Sequence, residues 1–420
     1  MLSGRFRTGW AGPVILTALL SAGGAAAAVP SGPLPPSARA LAARGFENVV
    51  VTETPDRVTV WYENRIYRYE MAGLGEAAFL AAAGLDSSRT LVMVPENRGV
   101  AIVGIAAAAG DWRRFLDGRE GAAWFRSRLR IMADGEVPHP PADAVRSNPR
   151  WWRTDLALRP LFSFELGIAD NPFQYSAWLA PEAVMSPATG VLLTVQGEVR
   201  LHDEFDPFTP DVVPGRNTVS WGGRLPAGWL GAASAGLFPD HRYGVTARTG
   251  RLFRSGTVDL QAGGDLSGFL KFSRHVVLYS PMETWSAFVA GTYRTPGIDL
   301  ETTVTGARFM EKRMGGRLDV ARRFGETRVD FFGIKTEDAS VVGMEVEVAL
   351  PTRRWSRPKA VRLRTVPTFP LTYRESVHDI GRQVSMFDDL ERLRKGLYPT
   401  FILDNLDDLR RGLRSEAEGR

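Results

Sequence analysis

Val191-Leu-Leu-Thr-Val-Gln-Gly-Glu-Val-Arg-Leu-His202 decides the fold. Its odd positions, Val191, Leu193, Val195, Gly197, Val199 and Leu201, are apolar or small, whereas Thr194, Gln196, Glu198, Arg200 and His202 are polar or charged. Successive side chains of a strand point to opposite faces, so a period of two gives one oily face and one ionic face. Outward from this stretch the pattern recurs. Leu156, Leu158, Phe162, Phe164 and Leu166 alternate with Asp155, Arg159, Ser163 and Glu165, and Tyr243, Val245 and Ala247 with Arg242, Thr246 and Arg248. Ile298, Leu300, Thr302 and Val304 alternate with Asp299, Glu301, Thr303 and Thr305, and Val342, Met344, Val346, Val348 and Leu350 with Glu345 and Glu347.

Such segments fall at 153–167, 172–185, 190–203, 217–224, 228–237, 241–253, 255–264, 268–280, 284–295, 297–309, 314–324, 326–336 and 340–351. Each has the roughly 9–11 residues that a tilted strand needs to cross hydrocarbon. Turn chemistry separates them: residues 187–190, Gly264-Asp265, 295–297 and Gly325-Glu326. A soluble β-sandwich also alternates. The charge carried on the polar face favours a cylinder with lipid outside and a polar interior. The expected fold is an all-β outer-membrane antiparallel β-barrel of about twelve strands, with a small N-terminal periplasmic α/β domain and a C-terminal helical tail. Trp151, Trp152, Tyr175, Trp178, Trp229, Tyr243, Tyr279, Trp285 and Tyr293 are its expected interfacial aromatics. Arg200, Arg248, Asp299, Glu301, Arg317, Asp319, Arg323, Glu345 and Glu347 are its expected lumen-lining set and candidate glycan contacts.

Residues 1–28 have the form of a signal peptide: Arg5 and Arg7, an apolar core at 11–22 and small residues up to Ala28. Residues 29–36 are a proline-rich linker. Residues 37–135 alternate helical and strand patterns in the order α-β-β-α-β-β with a further helix, a compact periplasmic α/β domain. Proline-dense 136–150 is a second linker, 151–351 the barrel, and 352–420 an extended and helical tail in which Ile380, Val384, Phe387, Leu390, Leu393 and Leu397 recur at helical spacing. Loss of the leader takes the formal charge from +5 to +3 with Arg5 and Arg7, too little to call for nucleic acid. The chain has no cysteine, which excludes disulfides, thiolate metal sites, cysteine nucleophiles and a lipid on a cysteine.

No catalytic residue, cofactor or metal is expected. His139, His202, His241, His275 and His378 are scattered, and there is no GxSxG elbow or phosphate-binding glycine loop. Asp203, Glu204, Asp206 and Asp211 form an acidic segment that fits a solvated loop, with a calcium site or glycosidase carboxylates as alternatives.

Two stretches carry a resemblance. Residues 45–49 (Gly-Phe-Glu-Asn-Val) with 62–68 (Tyr-Glu-Asn-Arg-Ile-Tyr-Arg), and residues 315–324 through 329–333 (Val-Asp-Phe-Phe-Gly), are similar to the YjbH family of exopolysaccharide and group 4 capsule outer-membrane proteins. The resemblance implies an outer-membrane barrel with a periplasmic α/β module, serving polysaccharide secretion, and supplies no active site. Family members are often longer, and many are lipoproteins, which the absence of cysteine rules out for this chain. Gly343, Val346 and Val348 also resemble the assembly signal of a barrel's last strand. The expected partners are outer-membrane lipid, polysaccharide and other export proteins. Two rival readings are a soluble periplasmic polysaccharide-active enzyme on a β-sandwich and a protein-binding assembly factor.

Overall fold

A computed structural model describes residues 35–168, 171–274, 276–310, 312–357, 359–374, 389–394 and 396–413. The expected signal peptide, nearly all of the 29–36 linker, His275, His378 and the helix-spaced Ile380, Val384 and Phe387 lie outside the described residues.

The N-terminal module begins with α1 (Pro36–Arg44), which ends where Gly45 takes φ 111° and returns its N–H to the carbonyls of Leu41 and Ala42. There follow β1 (Glu47–Glu53), β2 (Arg57–Glu63), α2 (Glu70–Ala82), β3 (Thr90–Asn97), β4 (Val100–Ala101), β5 (Gly104–Ala108), α3 (Ala109–Leu116), α4 (Ala122–Arg126) and β6 (Arg130–Met132). The sheet order is β1-β2-β3-β5-β6, with β4 on β3. Only β2 and β3 pair in parallel, because α2 carries the chain back over the sheet between them. Phe46, Tyr62, Met71, Leu74, Leu91 and Trp112 are buried in its core, and Phe125 stacks on Phe115 at 4.4 Å.

Residues 136–150, expected to be a linker, are instead packed onto the module. Ser147 exchanges backbone hydrogen bonds with Val49 at 2.8 and 3.0 Å, and Trp61 Nε1 donates to the Pro138 carbonyl at 3.0 Å. The Ser147 N–H thus finds its acceptor on the edge of β1.

The larger sheet contains β7 (Thr154–Ile168), β8 (Asn171–Met185), β9 (Val191–Asp203), β10 (Val212–Arg224), β11 (Leu230–Phe238), β12 (Arg242–Phe253) and β13 (Val258–Phe272). It continues with β14 (Val277–Tyr279), β15 (Thr284–Thr295), β16 (Leu300–Arg308), β17 (Met314–Phe324), β18 (Thr327–Thr336), β19 (Ser340–Ala349), β20 (Val361–Thr365) and β21 (Thr368–Arg374). From β7 to β19 each long strand pairs antiparallel with the next, and β14 is a short flap on β13. No helix among the described residues is long and apolar enough to cross a membrane, which leaves crossing by strands untouched.

Three expectations change here. Residues 255–264 and 268–280 are largely one strand, β13, and Gly264-Asp265 is no turn: the Asp265 carboxylate accepts from Ser286 at 2.7 Å across the ladder. The segment expected at 217–224 begins earlier, at Val212, with a register shift between Pro214 and Asn217. Most consequentially, the sheet does not stop at residue 351. β20 pairs parallel with β7, β21 pairs antiparallel with β19, and only Val366 and Pro367 separate the two. β20 and β21 do not pair with each other, so the ladder stays open between them. The rings of Phe164 and Tyr373, on β7 and β21, nonetheless lie 6.2 Å apart. The Gly343 motif therefore sits on β19, which β20 and β21 follow, and not on the last strand of the described residues.

After β21, α5 (Asp389–Arg394), α6 (Pro399–Asp404) and a 3-10 turn at Leu406–Arg410 return to the module end of the sheet. Leu390, Leu393, Leu397, Tyr398, Phe401, Ile402, Leu406 and Leu409 join the module's own core, together with Leu230, Ala232 and Leu252 of the sheet. The turns at 186–190, 225–229, 254–257, 296–299 and 325–326 share this end. Of the longer connections, 204–211 and 273–283 lie at the other end, and 350–360, between β19 and β20, lies against the module.

Candidate binding cavity inside the sheet

The two faces of the large sheet differ as the alternation requires. Val289, Val304, Leu318, Phe331, Val342 and Leu363 point outward and are exposed, Leu363 to 78%. Their neighbours Phe288, Thr305, Asp319, Asp330 and Arg362 point inward and are buried. Within the concave side lies a cavity of about 410 Å³. Arg248, Glu301, Arg317, Asp319, Arg323, Glu345 and Glu347, seven of the nine expected lumen residues, line it.

The other two lie elsewhere. Asp299 has φ 49° in the turn before β16, where its carboxylate accepts from Asn405 at 2.7 Å. Arg200 is capped by its own loop, donating to Asp211 at 2.9 Å and to the Thr209 carbonyl. β16 begins three residues later than the alternation suggested, at Leu300, and nothing in the pattern shows that the 204–211 loop folds back over its own strand.

Alternation alone also missed Arg294, Arg328, Asp330 and, from the tail, Glu391, which line the cavity as well. Here the inward side chains are paired across and along strands. Arg317 grips Asp319 with two donors at 2.8 and 2.6 Å, Arg294 donates to Glu301 at 3.2 Å, Arg328 meets Asp330 at 3.1 Å, and Thr372 donates to Glu345 at 3.1 Å. Thr292 and Thr303 share a hydrogen bond at 2.9 Å. Asp330 Oδ1, Arg294 Nη1 and Arg328 Nε nevertheless have no hydrogen-bond partner among the described residues. The wall therefore carries charges of both signs, with these three atoms buried and unsatisfied, which suits hydroxyl groups better than a single strong counter-charge.

A second ionic cluster joins the module to the sheet. Glu47 accepts from Arg65 at 3.1 Å and Arg153 at 2.7 Å, and Glu63 pairs with Arg150 and accepts from Asn48 at 2.9 Å. Arg65 also pairs with Asp155 of β7, which in turn accepts from Arg362 of β20 at 2.9 and 3.0 Å and lies 3.0 Å from Arg364. Burial alone would raise Glu63, but the adjacent Arg150 and Arg65 hold it below its ordinary value. The short stretches at 45–49 and 62–68 are thus adapter residues at the base of the sheet. Asn48 takes φ 52° so that its side chain can reach both Glu63 and the Arg150 N–H at 3.1 Å. Arg68 adds a two-pronged grip on Glu326, at 2.7 and 2.6 Å, in the turn between β17 and β18.

Glu96, in the same region, is pushed by burial up to about 7 despite its contact with Arg146. Between its ordinary value of 4.5 and about 7 the unfolded chain has released this proton while the folded chain retains it. Its contribution to stability therefore falls as pH rises across that window, by about 1–3 kcal/mol. Thermal unfolding followed at pH 5 and pH 8 should show this loss, and Glu96→Gln should flatten it; an unchanged slope in the variant would refute the assignment.

The aromatics divide between the two ends. Trp151, Trp152, Trp229 and Tyr293 lie at the module end of the sheet, with Trp152 63% exposed. Tyr175, Tyr243, Tyr279 and Trp285 lie toward the other. There Tyr243 stacks on Tyr279 at 5.6 Å, Tyr175 on His202 at 4.4 Å, and Arg308 covers Trp285 at 3.7 Å. Trp178 is a correction. It pairs with Arg200 across the ladder, between buried Ser176 and Ala180, with the guanidinium 5.6 Å above its ring, so it belongs to the inner face. The acidic segment is tied into its loop: Asp203 accepts from the N–H groups of Phe205 and Asp206, and Asp206 pairs with Lys271 at 2.5 Å. Among the described residues no group of three or more His, Asp or Glu could hold a metal ion.

A long, mainly antiparallel sheet, oily outside and ionic within, fused through buried arginine pairs to an α/β module, defines a strand-built protein with a polar cavity on its inner face. The family model described as exopolysaccharide biosynthesis protein YbjH (YjbH) matches residues 34–344. That is most of the chain, and the chain belongs to this family. No curated protein matches it. Among solved structures, the loop L8 deletion mutant of OmpT, an outer membrane protein of Vibrio cholerae, is 12% identical, with 46% of this chain and 85% of that one covered and a TM-score of 0.25. In-vitro folded OmpT of Vibrio cholerae is 11% identical over 47% of this chain and 82% of that one, also with a TM-score of 0.25. Likeness at that level carries no structural argument.

Proposed function

We propose that the large sheet is a closed outer-membrane β-barrel that assists export or assembly of extracellular or capsular polysaccharide without catalysing a reaction. The observation that carries this is the partition of side chains around the sheet, with exposed Val, Leu and Phe outside and paired ions inside. So continuous an apolar exterior marks a surface covered by lipid or a partner. Closure would fall at β20 and β21, one extended stretch that touches the first strand with its first half and the last long strand with its second. The resulting seam is parallel, so the usual even strand number is not required of it. The two groups of aromatics would stand at the two interfaces. Along β15, eight residues separate Trp285 from Tyr293, about 26 Å of strand at roughly 3.3 Å per residue, enough to cross most of an apolar band about 25 Å tall once tilted.

The module would face the periplasm, since it sits among the short turns, and such barrels carry their longer loops outside. In this reading the cavity residues Arg248, Glu301, Arg317, Asp319, Arg323, Glu345 and Glu347 contact sugar hydroxyls. Glu301, Asp319 and Asp330 are paired with arginines and Glu345 and Glu347 accept from Thr372 and Thr368, which suits a binding wall better than acid–base work. Other export proteins would dock on the module.

The test separates lipid from water at one residue. Val289, mid-strand in β15, is 66% exposed. Val289→Arg would change a water-facing site by no more than about 0.5 kcal/mol, but at a bilayer midplane costs about 2–4 kcal/mol. Denaturant titration of the protein refolded in lipid vesicles should show the larger value, alongside outer-membrane fractionation and different gel mobility of boiled and unboiled samples. A neutral Val289→Arg in a protein recovered from the soluble periplasm would refute the reading.

A further inference from the structure

We propose that a second cavity, at the module end of the sheet, holds a subsite for an acidic group, a carboxylate or a phosphate, carried on the sugar chain; this rests on the polysaccharide reading above. The cavity has a volume of about 440 Å³ and lies between module, sheet and tail. Its wall includes Arg159 of β7, Glu182 of β8, Arg362 and Arg364 of β20, and Trp355 in the connection before β20. These strand residues lie on the inner face, while their neighbours Leu158 and Leu363 are exposed on the oily one. What reaches the subsite is therefore a water-borne chain and not a lipid headgroup.

The two inward arginines of β20 are used differently. Arg362 is committed to the fold: Nε and Nη2 donate to Asp155 at 2.9 and 3.0 Å, and Nη1 donates to the carbonyls of Arg65 and Ser356. Arg364 lies 3.0 Å from the same carboxylate, but its Nε lacks the alignment of a hydrogen bond. Among the described residues its guanidinium makes no hydrogen bond, and the side chain is 18% exposed, against 2% for Arg362. Arg364 is nonetheless fixed in place. Its guanidinium lies over the Trp355 ring at 5.1 Å, and Trp355 Nε1 donates to Thr365 at 3.1 Å. Arg159 donates once, from Nη2 to Glu182 at 3.2 Å, while Gln196 takes up the other oxygen of Glu182 at 3.2 Å. With Nε of both arginines buried, the terminal nitrogens of Arg364 and Nη1 of Arg159 are the donors that remain to the cavity.

Charge points the same way. In this corner four carboxylates, Glu47, Glu63, Asp155 and Glu182, serve six arginines. The surplus emerges at Arg159 and Arg364. Arg323, which lines both cavities, is different: it stands 3.8 Å from Glu391, with Glu347 on the same wall, so carboxylates already answer its charge. A guanidinium with two unengaged prongs, held against an indole, matches the paired oxygens of a carboxylate or a phosphate. Because Asp155 and Trp355 already hold Arg364, binding costs little further side-chain order. The paired wall of the first cavity suits hydroxyls, whereas this corner suits charge. An acidic chain arriving from the module's side meets it first, where a cleft focuses the attraction.

The test is titration calorimetry of the full chain in detergent with two sugars of equal length, oligoglucuronate and a neutral dextran oligosaccharide, at low ionic strength. Wild type should bind the acidic chain more tightly by about tenfold or more, the worth of one charge-assisted hydrogen bond. Inorganic phosphate should displace it better than chloride does at the same ionic strength. Arg364→Gln should reduce the preference to about twofold or less. Equal affinities in wild type, phosphate no better than chloride, or a preference that survives in Arg364→Gln would each overturn the subsite and leave the polysaccharide reading standing. If neither sugar binds a protein that keeps its heat-dependent gel mobility, the polysaccharide reading fails and the subsite with it. Should Arg364→Gln lose that mobility, Arg159→Gln decides: the preference must fall by about threefold or more, and an unchanged preference overturns the proposal.

Discussion

Asp155→Ala is expected to destabilise the protein by about 3–5 kcal/mol, the usual cost of removing one partner from a buried ionic group. The carboxylate serves Arg65 of the module, Arg362 and Arg364 of β20, and stands on β7 itself. Alanine would leave the three arginines, none more than 18% exposed, facing one another. The loss should appear as an earlier transition in denaturant titration and as a lower temperature for conversion to the boiled gel form. Asp155→Asn retains an acceptor and should cost less. A change in Asp155→Ala below about 1 kcal/mol, the range of exposed pairs, would mean that the cluster does not join module, first strand and closing stretch.

Gly75→Ala should have a comparable effect for a steric reason. A Cβ on this α2 residue would come within 1.8 Å of the Leu409 carbonyl oxygen, and within 2.9 Å of the Leu409 Cα, so no side-chain rotation relieves it. Either α2 shifts or the tail withdraws. Overpacking of this kind costs about 1–3 kcal/mol and sometimes more. Limited proteolysis should then cut near residues 396–413 much faster than in wild type. Gly121→Ala, with nothing within 4 Å and no positive φ, should leave the digest unchanged. Equal tail protection in Gly75→Ala and wild type would show that the tail does not rest on α2.

Which parts of this architecture the sequence disclosed follows from what each signal measures. Alternation reports faces, and it placed Glu301, Arg317, Asp319, Glu345 and Glu347 on one side because every second residue must be there. It does not report where a strand ends. Gly264-Asp265 has the composition of a turn, yet the polar residue points inward to Ser286 and the strand runs through. In residues 361–374 Pro367 and Pro370 break the alternating pattern. Pro370 is tolerated in β21, where it lies opposite Glu347, in a strand that pairs along its length with only one neighbour at a time. The adapter cluster was legible only as a resemblance at 45–49 and 62–68. Its chemistry depends on Arg150, Asp155 and Arg362, which are remote in sequence and show no period. The placement of the tail was invisible for the same reason: helical spacing identifies an oily stripe but not the surface that will cover it.

The sharing of one core by Phe46 and Met71 near one end of the chain and Ile402 and Leu409 near the other bears on biogenesis and on descent. The portion made first keeps part of its oil uncovered until the portion made last arrives. By the same token this module cannot be cut out and grafted onto a different scaffold by recombination, as autonomous domains can. Module, wall and tail have to be inherited together.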